Sequence, residues 1–304
     1  MSDAGKRRGW FQRRRDARVA QNLAVRQAEI STLGLDYDSA LNRFDDLVES
    51  DQVAEAFNFA EQARYSLDTG TRGAGELMVS LLEVTQERLK DAAATLDRVL
   101  TLAGPQAEPD VALRRAQLLL HLDRKAEAVE QLHRALDNPS TRRMAKAAIA
   151  LGRMNADQGN DIEAERYLLL AYDSGHAPSV VSAALDLGKL KERAELPYDA
   201  RTFYETAADS TLHSEYTAAR MRLGVLLIAL GDHDRSRALL EELVADDDLE
   251  TATMAAINIG ALHRERQEWP DAIRWLALAA ASPIPHLSTM ATQLLVEAEA
   301  LSGR

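Results

Sequence analysis

The side chains best equipped for chemistry at the start of this chain are cationic. Lys6, Arg7, Arg8, Arg13, Arg14, Arg15, Arg18 and Arg26 stand against Asp3 and Asp16, with Trp10 and Phe11 among them. The first 26 residues therefore carry about +6, leaving about −18 on the remainder of a chain whose formal net charge is −12. Near an anionic membrane each Lys or Arg would contribute about 1 kcal/mol, but Val19, Leu23 and Ile30 make only a weak apolar stripe for an interfacial helix. Nucleic acid would be bound by charge alone, without sequence preference. The favoured reading is docking on a partner protein or on the protein's own acidic surface, because a tethered arm has an effective concentration of about millimolar. A solubilising tail is the remaining reading. The arm is too short for a helix-turn-helix domain, which disfavours a peptide-sensing repressor.

Beyond the arm, acid–base and metal-ligating residues are present without the spacing such chemistry needs. His121, His133, His176, His213, His233, His263 and His286 are scattered. The segment around His233 and the run Asp246-Asp247-Asp248 would attract a cation weakly, and both read as solvated turns. There is no phosphate-binding P-loop, dinucleotide fingerprint, HExxH motif or nucleophile elbow. The sequence therefore reads as a non-enzymatic protein without cofactor or metal. With no cysteine, disulfides and thiolate metal sites are excluded, which fits a reducing, cytoplasmic compartment. No apolar run is long enough to span a bilayer, and the basic N-terminus lacks the apolar core of a secretory signal.

The elements that position these residues follow from one period. Small residues recur every 36 positions as Ser80, Ala116, Gly152, Gly188, Gly224 and Gly260. Ala56, Ala92, Ala128, Ala164, Ala200, Ser236 and Ala272 form a second column, twelve residues on. Four further stand Ala60, Leu96, Leu132, Leu168, Tyr204, Leu240 and Leu276, and three beyond those Ala63, Val99, Ala135, Ala171, Ala207, Leu243 and Ala279. Such a period means stacked supersecondary units, each unable to bury its apolar face alone.

Within a unit the spacing is helical. In the fourth, residues 145–157 read as a first helix, Gly159 as the turn and 162–174 as a second helix. The prolines agree: Pro105, Pro109, Pro139, Pro178, Pro283 and Pro285 fall in predicted links, and Pro197 and Pro270 at second-helix starts. The expected fold is all-α, a right-handed α-solenoid of about seven helix-turn-helix repeats plus terminal capping helices. Residues 1–36 form the basic arm with a helix over 10–33, 37–288 the seven repeats, and 289–304 a C-terminal cap and tail, the capping helix reading as 286–301. The first repeat departs from pattern, since Phe44 occupies its small-residue column, and reads as a degenerate cap.

The pairs Leu151-Gly152, Leu187-Gly188, Leu223-Gly224 and Ile259-Gly260, followed by Ala164/Leu168/Ala171, Ala200/Tyr204/Ala207 and Ala272/Leu276/Ala279, resemble tetratricopeptide repeats. The resemblance covers nearly all of the chain from about residue 37. It departs in a period of 36 rather than the family's 34, which implies a longer link between units, and in lacking most first-helix aromatics. Sel1-like repeats are the nearest rival; the short loop within each hairpin favours the tetratricopeptide reading.

What the resemblance implies is a protein-binding scaffold or adaptor whose first helices line a groove. One lining position reads Leu41, Leu77, Leu113, Ile149, Leu185, Met221 and Ile257: either an apolar strip for a partner helix or extended segment, or packing between neighbouring first helices. Another adds Leu81, Gln117, Arg153 and Lys189, and with Lys146, Arg193 and Arg264 a basic cluster emerges in an acidic molecule. It would pair with an acidic peptide or a C-terminal carboxylate, or be a solvated face of surface ion pairs, such as Arg193 with Glu192. A protein or peptide is thus the expected partner. Membrane or nucleic-acid anchoring through the arm, and self-assembly into a homo-oligomer, are the alternatives.

Overall fold

Four of the hairpins are built on a glycine beneath a large side chain. A Cβ at Gly152 would stand 2.6 Å from Leu168 Cγ, at Gly188 2.3 Å from Tyr204 Cε1, at Gly224 2.8 Å from Leu240 Cδ2 and at Gly260 2.6 Å from Leu276 Cγ. Those distances are shorter than any van der Waals contact, so a larger residue at these four positions forces the facing side chain to shift. A computed structural model describes residues 35–50, 52–85, 88–209, 213–246 and 248–303. The basic arm and the helix expected over 10–33 lie outside the described residues.

Every regular element among the described residues is a helix, and the chain divides into two compact units, Met1–Asn138 and Pro139–Arg304. The first unit holds α1 (Tyr37–Glu49), α2 (Val53–Arg64), α3 (Thr69–Thr85), α4 (Leu89–Ala103), a 3-10 turn (Pro105–Ala107), α5 (Glu108–His121) and α6 (Lys125–Ala135). The second holds α7 (Thr141–Asp157), α8 (Asp161–Tyr172), α9 (Ala177–Arg193), α10 (Pro197–Ala208), α11 (His213–Ala229), α12 (His233–Val244), α13 (Leu249–Glu265), α14 (Trp269–Ala280) and α15 (Pro285–Ser302). Within each unit a helix packs on its successor, and odd-numbered helices also pack on one another: α1 on α3 and α3 on α5, then α7, α9, α11, α13 and α15 in series. Each unit is thus a stack of hairpins whose first helices share one layer.

All four columns are buried. Every member of the second, third and fourth is at most 2% exposed, as is each non-glycine member of the first. Phe44 and Ala60 invert the usual order, a large side chain on α1 above a small one on α2, and both are buried in one cluster. The first hairpin thus carries the two sizes exchanged.

The turn within each hairpin repeats as faithfully. The N–H groups of Gln52, Arg88, Arg124, Asn160, Leu196, Asp232 and Glu268 donate to the carbonyls of Leu47, Glu83, Leu119, Asn155, Lys191, Leu227 and His263 at 2.8–2.9 Å. This is the bond that closes a helix C-terminus when the preceding residue turns left-handed. That residue is Asp123, Gly159, Glu195, Gly231 or Gln267, with φ of 56, 76, 57, 78 and 59°. At the far end of second helices, Ser66, Ser174, Asp246 and Ser282 accept from the N–H two residues on, at 3.3, 3.3, 2.8 and 3.3 Å.

First helices begin earlier than the columns imply: α7 starts at Thr141 rather than 145, and α9 at Ala177. The link between α8 and α9 is therefore only four residues, 173–176, not a lengthened one. Pro178 and Pro109 sit in first turns, where a missing N–H costs no helical bond.

Candidate partner-binding face

What the packing columns leave over determines what the first-helix layer can do. On α7, α9 and α11 the residue after the glycine, Arg153, Lys189 or Val225, is exposed, whereas Ala261 on α13 is half-buried. The position three before the glycine column is covered: Leu41, Leu77, Leu113, Ile149, Leu185 and Ile257 are 2–7% exposed. Their apolar surface is spent on packing between helices. Met221 is half-buried, and its Sδ accepts a contact from Asn258 Nδ2 at 3.3 Å. In the first unit Leu81 is half-buried against the core, and Gln117 accepts from Arg114 at 3.0 Å.

Arg153, Arg193 and Arg264 are engaged with acids on a neighbouring helix, and Lys189 with an acid on its own. Arg153 Nε lies 2.5 Å from Asp186 Oδ2, and Lys189 Nζ 2.9 Å from Asp186 Oδ1. Arg193 does not pair with adjacent Glu192; it reaches Asp161 and, at 3.2 Å, the carbonyl of Ala156. Glu192 instead accepts from Tyr204 Oη at 2.7 Å and faces Arg222 at 3.5 Å. Burial, reinforced by that hydrogen bond to a carboxylate, pushes the Tyr204 phenol far above the ordinary tyrosine range. Arg264 bridges to Glu297 on α15 at 2.8 Å, and Lys146 is half-buried. Arg153–Asp186, Glu192–Arg222 and Arg264–Glu297 thus tie successive first helices across the second unit.

Three of the expected cations come together. Arg153, Lys189 and Arg193 line an open pocket of about 330 Å³ with Ala156, Asp157, Leu168, Asp186 and Leu190. The acid at its base was missed from sequence, because Asp186 lies 33 residues from Arg153 and no local pattern marks the pair. Around this pocket the charges nearly balance, Arg153, Lys189 and Arg193 standing against Asp157, Asp161 and Asp186. Among the described residues no helix is long and apolar enough to cross a membrane. The basic arm residues lie outside the described residues.

No family model matches the chain. No curated protein matches it either. Solved structures do. Over 68% of this chain and 89% of the other, it is similar to PilF of Pseudomonas aeruginosa, at 14% identity and a TM-score of 0.55. Over 95% of this chain and 94% of the other, it is similar to the apo form of the quorum sensor NprR from B. thuringiensis, at 13% identity and a TM-score of 0.51. A tetratricopeptide repeat protein from Parabacteroides merdae is similar over 86% of this chain and 98% of the other, at 15% identity and a TM-score of 0.45. With its packing columns and hairpin geometry, the chain has the tetratricopeptide-repeat fold.

Proposed function

We propose that the protein is a non-enzymatic scaffold that binds a segment of another protein on the first-helix layer of its second unit. The observation that carries this reading is the exposed row Arg153, Lys189 and Val225 on a layer whose apolar column three residues before the glycines is covered by packing, with Arg153 and Lys189 sharing Asp186. A row on stacked rigid helices is pre-ordered, so a bound segment bears most of the ordering cost itself. The likeness to a quorum sensor and to PilF supports the repeat fold as a recognition platform, and the absence of cysteine fits a reducing compartment such as the cytoplasm. Panning a random peptide library on the intact chain tests the proposal. Enrichment of sequences that fail to bind an Arg153→Glu/Val225→Asp variant with an unchanged melting curve supports it. A library that enriches nothing over a blank surface contradicts it.

A further inference from the structure

We infer that the basic arm docks on its own chain: the segment before Gly34 folds back along the acidic side of α1 and sets Arg26 against the buried Asp45. The inference concerns the first unit and is independent of the scaffold reading of the second.

The position after the small-residue column points away from its own hairpin. Arg153, Lys189 and Val225 are exposed there, and Leu81, Gln117 and Ala261 are half-buried. Asp45 on α1 is the remaining member of that row, and it alone is buried, at 6% exposure. Among the described residues α1 packs on α2 and α3 and has no earlier helix beside it. This end of the stack therefore offers less cover than the middle, yet it is here that the row is covered. An aspartate is rarely buried unless it is paired, because its charge is costly to take out of water. Its burial at an open end points to a covering segment that carries positive charge. Asp45 also belongs to a stripe: Asp38, Asn42, Asp45 and Glu49 follow at i, i+4, i+7 and i+11, one side of α1.

The arm matches that stripe. Val19, Leu23, Arg26 and Ile30 stand at the same four spacings, so in the helix expected over 10–33 Arg26 interrupts the apolar stripe near its centre. Gly34, Leu35 and Asp36 suit a short connection between antiparallel helices. The described end of that connection is tied down: the Leu35 carbonyl accepts from Thr71 Oγ1, and Asp36 Oδ1 accepts from the Ser39 N–H at 2.7 Å. Arg26 lies eight residues before Gly34 and Asp45 eight after Tyr37, about 12 Å along each helix at 1.5 Å per residue. Antiparallel packing thus brings the guanidinium level with the carboxylate. The charge of about +6 on the first 26 residues adds attraction of the same sign. A membrane or nucleic acid holding the arm would leave Asp45 uncovered, and tethering at about millimolar effective concentration favours the arm of the same chain over that of a second copy.

The chain has no cysteine, so an engineered pair can be followed without background. In the full chain, Ile30→Cys/Asn42→Cys is compared under mild oxidation with Ile30→Cys/Arg43→Cys. Asn42 and Arg43 are both exposed, and the loops closed are of nearly equal length, but the two sites lie about 100° apart around α1. Docking predicts an intramolecular disulfide about tenfold faster or more in the first pair, because only there do the two β-carbons face each other. Adding Asp45→Asn or Arg26→Gln should remove most of that advantage. Arg26→Gln lies before the repeats and leaves their core untouched, which guards against a folding defect in Asp45→Asn. Equal rates in the two pairs, as a merely tethered arm would give, overturn the inference. An advantage that survives both charge variants overturns it as well. So does a disulfide formed only between molecules, which would assign the arm to a second copy.

Discussion

Tyr204 lies over Gly188 so closely that a β-carbon on the glycine would stand 2.3 Å from the ring. The same tyrosine donates through its hydroxyl to Glu192, four residues further along α9, so one side chain both fills the hairpin and fastens it. Gly188→Ala removes a helix-weakening glycine, a gain of about 1 kcal/mol where space allows. Here the flat ring cannot yield, and overpacking of about 1–3 kcal/mol outweighs the gain. The variant should melt below the parent in thermal unfolding, and Gly152→Ala should do so by less, because the Leu168 side chain can turn aside.

Tyr204→Phe keeps the packing and loses the hydroxyl bond to Glu192. A hydrogen bond to a charged group contributes about 1.5–3 kcal/mol, and a loss of that order is expected in denaturant titration.

The pH dependence follows in sign. The Tyr204 phenol is raised in the folded state, so its contribution is complete below the ordinary tyrosine value of about 10 and declines as pH rises beyond it. Stability measured between neutral and strongly alkaline pH should fall more steeply for the parent chain than for Tyr204→Phe.

The left-handed turn residues give a prediction in the stabilising direction. Glu195 and Gln267 occupy a conformation, φ 57 and 59°, that Gly159 and Gly231 adopt without strain at the matching positions. A non-glycine residue there costs about 1–2 kcal/mol. Glu195→Gly and Gln267→Gly should each raise the unfolding midpoint, and Gly159→Ala should lower it by a similar amount.

These relationships were unequally legible in the sequence. The Gly152–Leu168 interlock and its counterparts were readable because burial forces a size at each position, and the period repeats that constraint. The turns at Asp123, Glu195 and Gln267 were hidden, since no glycine marks their left-handed backbone. Asp161, Asp186 and Glu297 escaped notice for a different reason: each pairs with an arginine 32 or 33 residues away, a distance that only the stacking of hairpins brings together. An apolar residue such as Leu185 looks the same in sequence whether it faces a partner or the next helix, and its burial had to come from the fold.

Glu205 offers a prediction on the acid side. Partial burial opposes its charge, but hydrogen bonds from Arg201 and Arg235, at 2.9 and 2.6 Å, hold its carboxyl below the usual range. Its contribution is therefore present above the ordinary glutamate value and is lost as pH falls through the lowered one. Glu205→Gln should flatten the acid limb of the stability curve, with an effect at neutral pH of no more than about 1 kcal/mol, as partly exposed pairs give.

The most direct test of partner binding on the first-helix layer is site-specific photo-crosslinking of one selected peptide. Benzoylphenylalanine is placed in turn at Val225 on that layer, and at Ile162 and Tyr198, which are 85% and 72% exposed at second-helix starts. Crosslinking from position 225, with positions 162 and 198 silent, is the predicted result. Crosslinks from positions 162 or 198 with none from 225 would place the partner elsewhere and contradict the assignment of the binding face.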